Sequence, residues 1–320
     1  MEPFKLGPAF KDYLWGGESL CAAYGKQTAL RPVAESWELS CHPDGESRAV
    51  SGPEAGKTLR ALFEAHGEAL AGRRCARFQD FPVLVKLIDA ARPLSIQVHP
   101  SDEYALKNEN SFGKTEMWII LDAQPDSFLY YGFNREVSAG ELREAIENNR
   151  LEELLGKRPV RRGDVVFIPA GMLHAIGAGI VLCEVQQNSN LTYRVYDYGR
   201  LGADGKPRPL HVEKALAVLD RRPASGDFTP AGEAVAVGGG QRQLLAECPY
   251  FTVHSLKLDG SYIEQADGES FCCLTCIEGQ GELSCGAARL SLEKGESVFI
   301  PAGAGEWKLQ GRLECIQTGV

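Results

Sequence analysis

The chain has 320 residues, 44% of them hydrophobic and 24% charged, with a formal net charge of −9 at neutral pH. This is enough apolar material for two domains or one large elaborated one, and nothing in the composition requires disorder. The acidic balance excludes nucleic acid and anionic membrane surfaces as partners, because both require a basic face.

A small anionic substrate remains compatible with this charge if local cations sit within the acidic shell. No stretch approaches the roughly 20 apolar residues of a membrane helix. The start, MEPFKLGPAFKDYLWGG, has neither a basic segment nor an apolar one following it, so a cytoplasmic location is expected. Ten cysteines are scattered along the chain. Dispersed thiols in a long chain without an export signal are expected to stay reduced. Cys272, Cys273, Cys276 and Cys285 fit no paired CxxC framework and are expected to be buried and inert.

Taken in chain order, KTLRALFEAHGEALAG places Leu59, Leu62, Phe63 and Leu70 at helical spacing behind Thr58, a candidate cap. Next come the strand-like runs PVLVKLID and LSIQVHP. The second puts Ser95, Gln97 and His99 at alternate positions, hence on one face of a strand. Lys86 interrupts the first run and is a candidate cation for a pocket. Glu116 opens EMWIILDA, two residues after Lys114, and that run leads into SFLYYGF. SAGELREAIENNRLEELLG begins with a capping box, Ser138-x-x-Glu141, and predicts a second helix.

GDVVFIPAGMLH follows, from Gly163 to His174, and then the runs IVLCEVQ and LTYRVYDY, which carry Glu184 and Arg194. HVEKALAVLD predicts a third helix. The glycine- and proline-rich residues 221–243 read as a linker into a second β block. That block ends in GESVFIPAGAGE, from Gly295 to Glu306, which matches the earlier string at seven of twelve positions. In both copies glycine and an acidic residue make a turn, three residues form a buried strand, and proline with glycine ends it. The first copy closes on His174 and the second on Glu306, so the metal-binding capacity is expected in the first copy alone.

These elements predict a mainly β chain built as two β-sandwich modules, the first enlarged by helices. Residues 1–235 are expected to form the metal-binding catalytic module and 236–320 a degenerate second one. Gln97, His99, Glu116 and His174 offer two imidazoles, a carboxylate and an amide oxygen. That set suits a borderline divalent ion, zinc foremost, with manganese, iron(II) or cobalt as alternatives.

Gly163, Pro169, Gly171 and His174 match the second cupin motif, G-x5-P-x-G-x2-H. AESWELSCHPDGES, PVLVKLIDA, LSIQVHPSDEYA, GKTEMWIIL, PAGMLHAIGAG and EVQQNSNLTYRVYDYGR together resemble the type I phosphomannose isomerases in their short bacterial form. The resemblance implies two cupin-type jelly rolls, one zinc ion on Gln97, His99, Glu116 and His174, and a sugar-phosphate substrate. It implies isomerisation of mannose 6-phosphate and fructose 6-phosphate through a cis-enediol. It also implies an active-site Arg194, with Ser95 and Lys114 on the phosphate. Lys86 is a further candidate there. Glu184 and Lys114 are candidates for proton transfer. A metal-cupin oxidoreductase and a non-catalytic sugar-phosphate binder are the alternatives.

Overall fold

The structure is a computed structural model that describes residues 1–202 and 205–320. It is mainly β, with two cupin-type sandwiches. In the first, a six-stranded sheet faces a five-stranded one. The six-stranded sheet runs in the order Val165–Ile168, Glu116–Ala123, Ile180–Gln187, Val83–Ala90, Glu35–Leu39 and Ala9–Lys11. The five-stranded sheet runs Tyr193–Tyr196, Ile96–Val98, His174–Ile176, Phe128–Phe133 and Leu155–Pro159. Between them lie Ile88, Trp118, Ile120, Leu129, Val166, Ile168, Ile176 and Leu182. These apolar residues sit at alternate positions of their strands and so share the inner face.

The expected helices form at Leu59–His66, Ala139–Glu147 and Val212–Val218. Thr58 and Ser138 cap the first two, each side chain accepting from the backbone N–H three residues on. Two short helices, Ser19–Tyr24 and Asp102–Asn108, gave no sequence signal. Six or seven residues hold less than two turns, too little for an apolar stripe to stand out. No helix among the described residues is long and apolar enough to cross a membrane.

The second sandwich is one nine-stranded sheet folded over on itself. Its long strands Thr252–Ala266 and Gly305–Gly319 pair along fifteen residues, with Gly260 opposite Gly311 at mid-length. A Cβ on Gly311 would collide with Gly281 and the Gln280 carbonyl, so the crossing requires glycine there. Hydrogen bonding does not follow a single cut in the chain. Phe4–Gly7 pairs with Ser297–Ile300 and with Arg48–Ala49, so both early strands complete this later sheet. Residues 234–243, read from sequence as linker, instead join a hairpin of Ala234–Val237 with Gly240–Glu247. Gly238, at φ 45°, makes the two-residue turn, so this glycine run is a hairpin signal.

The repeated strings have the same backbone. Gly163 and Gly295 take φ of 93° and 88°, and Gly171 and Gly303 take 87° and 71°. Val166 and Ile168 point into the first sandwich, and Val298 and Ile300 into the second. Phe167 and Phe299 turn the other way, onto the core shared between the two modules. The copies diverge after the second glycine. The string alignment sets Glu306 against His174, yet Glu306 is exposed and Trp307 is the residue that points inward, edge-on to Tyr262. The second copy's strand begins earlier, at Gly305, and its third residue, Trp307, lies opposite Glu264 as His174 lies opposite Gln97, so an indole fills the station that His174 holds in the first module.

Candidate active site

Two neighbouring strands of the five-stranded sheet set Gln97 opposite His174, with Arg194 opposite Gln97 on the other side. In the facing sheet, Glu184 lies between Lys86 and Trp118, and Lys86 lies opposite Trp37. Because register places these residues side by side on one face, the two sheets bring imidazoles and a lining of carboxylates and lysines together across the sandwich.

His99, Glu116 and His174 are all buried, and one ligand atom from each lies within 4.8 Å of the others. His99 Nδ1 lies 2.9 Å from the Leu191 carbonyl oxygen and His174 Nδ1 lies 2.9 Å from that of Met172. A carbonyl can only accept, which places the proton on each Nδ1 and leaves each Nε2 with a lone pair directed into the site. His174 Nε2 lies 3.1 Å from Glu116 Oε1, and neither atom has a hydrogen-bond partner. With His174 as the neutral imidazole, two buried acceptors facing each other at that distance suit a cation held between them, so the donor set fits a divalent ion. His99 Nε2 meets Lys114 Nζ at 3.2 Å, and the same ammonium pairs with Glu116 Oε2. Burial, then the Lys114 charge, pushes the His99 pKa well down and keeps the ring neutral, the form that ligates. Gln97 is the outermost of the four, half-buried on the cleft wall, its amide oxygen 3.4 Å from Ser95 Oγ.

Above this cluster opens a cleft of roughly 270 Å³ lined by Glu35, Lys86, Ser95, Gln97, Lys114, Glu184 and Arg194, among others. It brings every residue singled out from sequence to one place, either in the cleft wall or in the buried cluster beneath it. Glu184 lies within its strand. Its Oε2 accepts from Trp118 Nε1 at 2.9 Å, and its Oε1 is 3.0 Å from Lys86 Nζ and 3.9 Å from Lys114 Nζ. Burial raises the Glu184 pKa, with the two lysines opposing and Glu116 and Glu35 reinforcing. Burial also works against the charge on Lys86, but Glu184 and Glu35 outweigh it and raise that pKa. Arg194 reaches the cleft from the opposite sheet, one Nη donating to the Pro209 carbonyl at 3.0 Å while its buried Nε has no partner.

Sequence reasoning missed Glu35. Its carboxylate accepts from Trp37 Nε1 at 2.6 Å and lies 3.7 Å from Lys86 Nζ. The signal was available, since Glu35 and Trp37 alternate in ESWEL as two residues of one face do. The remaining histidines, His42, His66, His211 and His254, join no metal-type cluster among the described residues. All ten cysteines are free; in the second-module group Cys273, Cys276 and Cys285 are buried, and burial raises the thiol pKa values of Cys272 and Cys273.

Comparison with known proteins gives the same assignment. The family model "Phosphomannose isomerase type I, catalytic domain" matches residues 3–146, and "Mannose-6-phosphate isomerase, cupin domain" matches residues 241–320. Mannose-6-phosphate isomerase ManA of Bacillus subtilis is 38% identical over 98% of both chains. A crystal structure of the Bacillus subtilis mannose 6-phosphate isomerase superimposes with a TM-score of 0.92 at 34% identity, covering 100% of both chains. A zinc-bound mannose 6-phosphate isomerase shares the fold, with a TM-score of 0.78 at 22% identity over 99% of both chains. The chain belongs to the type I phosphomannose isomerases and is an enzyme of the mannose-6-phosphate isomerase type.

Proposed function

We propose that the chain interconverts mannose 6-phosphate and fructose 6-phosphate through a cis-enediol, using one zinc ion held by Gln97, His99, Glu116 and His174. The observation that carries this is the buried, unpartnered pair His174 Nε2 and Glu116 Oε1, 3.1 Å apart beneath a cleft rich in cations. The zinc-bound relative supports the choice of metal. When bound, the ion supplies Lewis acidity for the negative charge that grows on the sugar oxygens.

The chain's own groups do the rest. Isomerisation moves a proton between C1 and C2, and Glu184 is the carboxylate placed to take and return it. A buried glutamate with a raised pKa is a stronger base than a solvated one, and Trp118 and Lys86 hold its two oxygens in place. Arg194 supplies permanent positive charge against the enediolate from the other wall. Ser95, Lys86 and Lys114 bind the phosphate. The chemistry lies within residues 1–235, although Phe4–Gly7, Arg48–Ala49 and the start of Ala234–Val237 join the second sheet, and the 236–320 module completes the site through its packing. The enzyme works in the cytoplasm, where its thiols stay reduced.

The test is isomerisation in D2O. Proton transfer through an enediol lets solvent deuterium enter at C1 of the fructose 6-phosphate formed, in part or in full. Deuterium at C1 excludes a purely internal hydride shift, and a folded, zinc-loaded chain that turns over no mannose 6-phosphate would sink the reading.

A further inference from the structure

We propose that the mouth of the second sandwich is a second ligand site, one that takes a neutral, hydroxyl-rich molecule of hexose size. The sheet registers make this mouth the counterpart of the catalytic cleft. Ile168 pairs with Glu116 in the first module and Ile300 with Cys272 in the second. Carried strand by strand, Glu184 beside Trp118 becomes Gln317 beside Leu274, and Lys86 opposite Glu184 becomes His254 opposite Gln317. Glu35 opposite Ile88 becomes Arg242 opposite Leu256. On the facing side, Gln97 opposite His174 becomes Glu264 opposite Trp307.

The replacements split by depth. The inner stations are filled with apolar bulk, Trp307 for His174 and Leu274 for Trp118, and the metal set is gone. The outer stations stay polar and enclose a cavity of roughly 290 Å³, close to the roughly 270 Å³ of the catalytic cleft. Arg242 Nε donates to Gln317 Oε1 at 3.1 Å, and Gln317 Nε2 donates to Glu264 Oε2 at 2.6 Å. Gln317 is only 6% exposed, and with both ends of its amide partnered it fixes the Arg242 and Glu264 side chains in the cavity wall.

The chemistry selects the ligand class. Planar guanidinium, amide and carboxylate groups in the cavity wall present paired donors and acceptors to adjacent hydroxyls. Phosphate is disfavoured, because four carboxylates, Glu247, Glu264, Asp267 and Glu269, line the cavity against the two arginines Arg74 and Arg242. His254 adds no charge at neutral pH, its pKa pushed down to about 4 by burial and by Arg242.

The site is tested by calorimetric titration of the full, zinc-loaded chain with D-mannose, D-fructose and D-glucose in turn, with the catalytic cleft kept saturated by an equilibrated mixture of the two sugar phosphates. At least one hexose binds at one equivalent per chain. Gln317→Leu weakens that binding about tenfold or more, as loss of one buried hydrogen-bonding group predicts. It leaves turnover of mannose 6-phosphate within about twofold, as expected of distant sites. Arg242→Lys, which keeps the charge and loses the planar fork, serves as the second variant if Gln317→Leu does not fold. No hexose binding, binding that the sugar phosphates displace, or binding that the variants leave unchanged would overturn the proposal. Turnover is read separately, so failure here is distinct from failure of the isomerase reading.

Discussion

Glu184 shows how one residue's role depends on what surrounds it. Sequence placed it in the run IVLCEVQ as a candidate for proton transfer; the structure shows it mid-strand, bridged to Lys86 and bonded to Trp118. Glu184→Gln is expected to lower kcat by about 10² or more, the scale of a lost general base, while the protein still binds its metal. The acid limb of the wild-type rate profile should lie above the pH of an ordinary glutamate, since the base must be ionised and its pKa is raised. His254 makes an opposite kind of prediction. Its folded pKa of about 4 lies below the ordinary 6.5, so between those values the unfolded chain binds the extra proton. Stability should therefore fall as pH drops from about 6.5 to 4, and His254→Gln should flatten that part of a melting-temperature profile. Gln97, His99 and His174 were legible because strand alternation and a corner motif fix where such side chains point. Glu35 was not singled out, although its alternation with Trp37 in ESWEL set it on that tryptophan's face, because only the fold brings Lys86 against it.

At the scale of elements, the twice-used strand and corner offers a comparison within one molecule. Gly163 and Gly295 share a positive φ, but a Cβ at 163 meets nothing within 4 Å while one at 295 collides with the Tyr24 carbonyl oxygen. Gly163→Ala should cost about 1–2 kcal/mol for its backbone conformation alone, and Gly295→Ala clearly more, read from urea midpoints. The helices were legible wherever a cap and two turns of apolar spacing coincided, as at Thr58 and Ser138. Ser138→Ala should remove about 1 kcal/mol, the worth of an N-cap, without touching turnover. The hairpin at 234–247 was not legible, because glycine marks both linkers and two-residue turns and only strand pairing separates them. Likewise, the inward position falls on Trp307 rather than Glu306, a one-residue offset from His174 that a gap-free string comparison conceals. Glu306→Ala should therefore leave kcat nearly unchanged.

Across the whole molecule, the two sandwiches share a core in which Phe4, Phe81, Phe271 and Phe299 stack and tilt against one another. The candidate site lies in one sandwich, but the shared core draws on both. Removing residues 1–7 should unpair the edge of Ser297–Ile300 and destabilise the second module, although those residues lie far from it in sequence. Deleting everything after Gln241 should expose the shared core and leave little soluble protein. The bipartite β architecture was legible from the repeated string. The return of the N-terminus to the last sheet was not, because a four-residue strand carries no record of its partner. The central claim is that a divalent ion on His99, Glu116, His174 and Gln97 powers the isomerisation, and the most direct measurement is conversion of mannose 6-phosphate before chelation, after it, and during a zinc titration. The account predicts loss of activity on chelation and full recovery at one zinc per chain, with His174→Ala failing to recover. Undiminished turnover in a chain shown to be free of metal would contradict it.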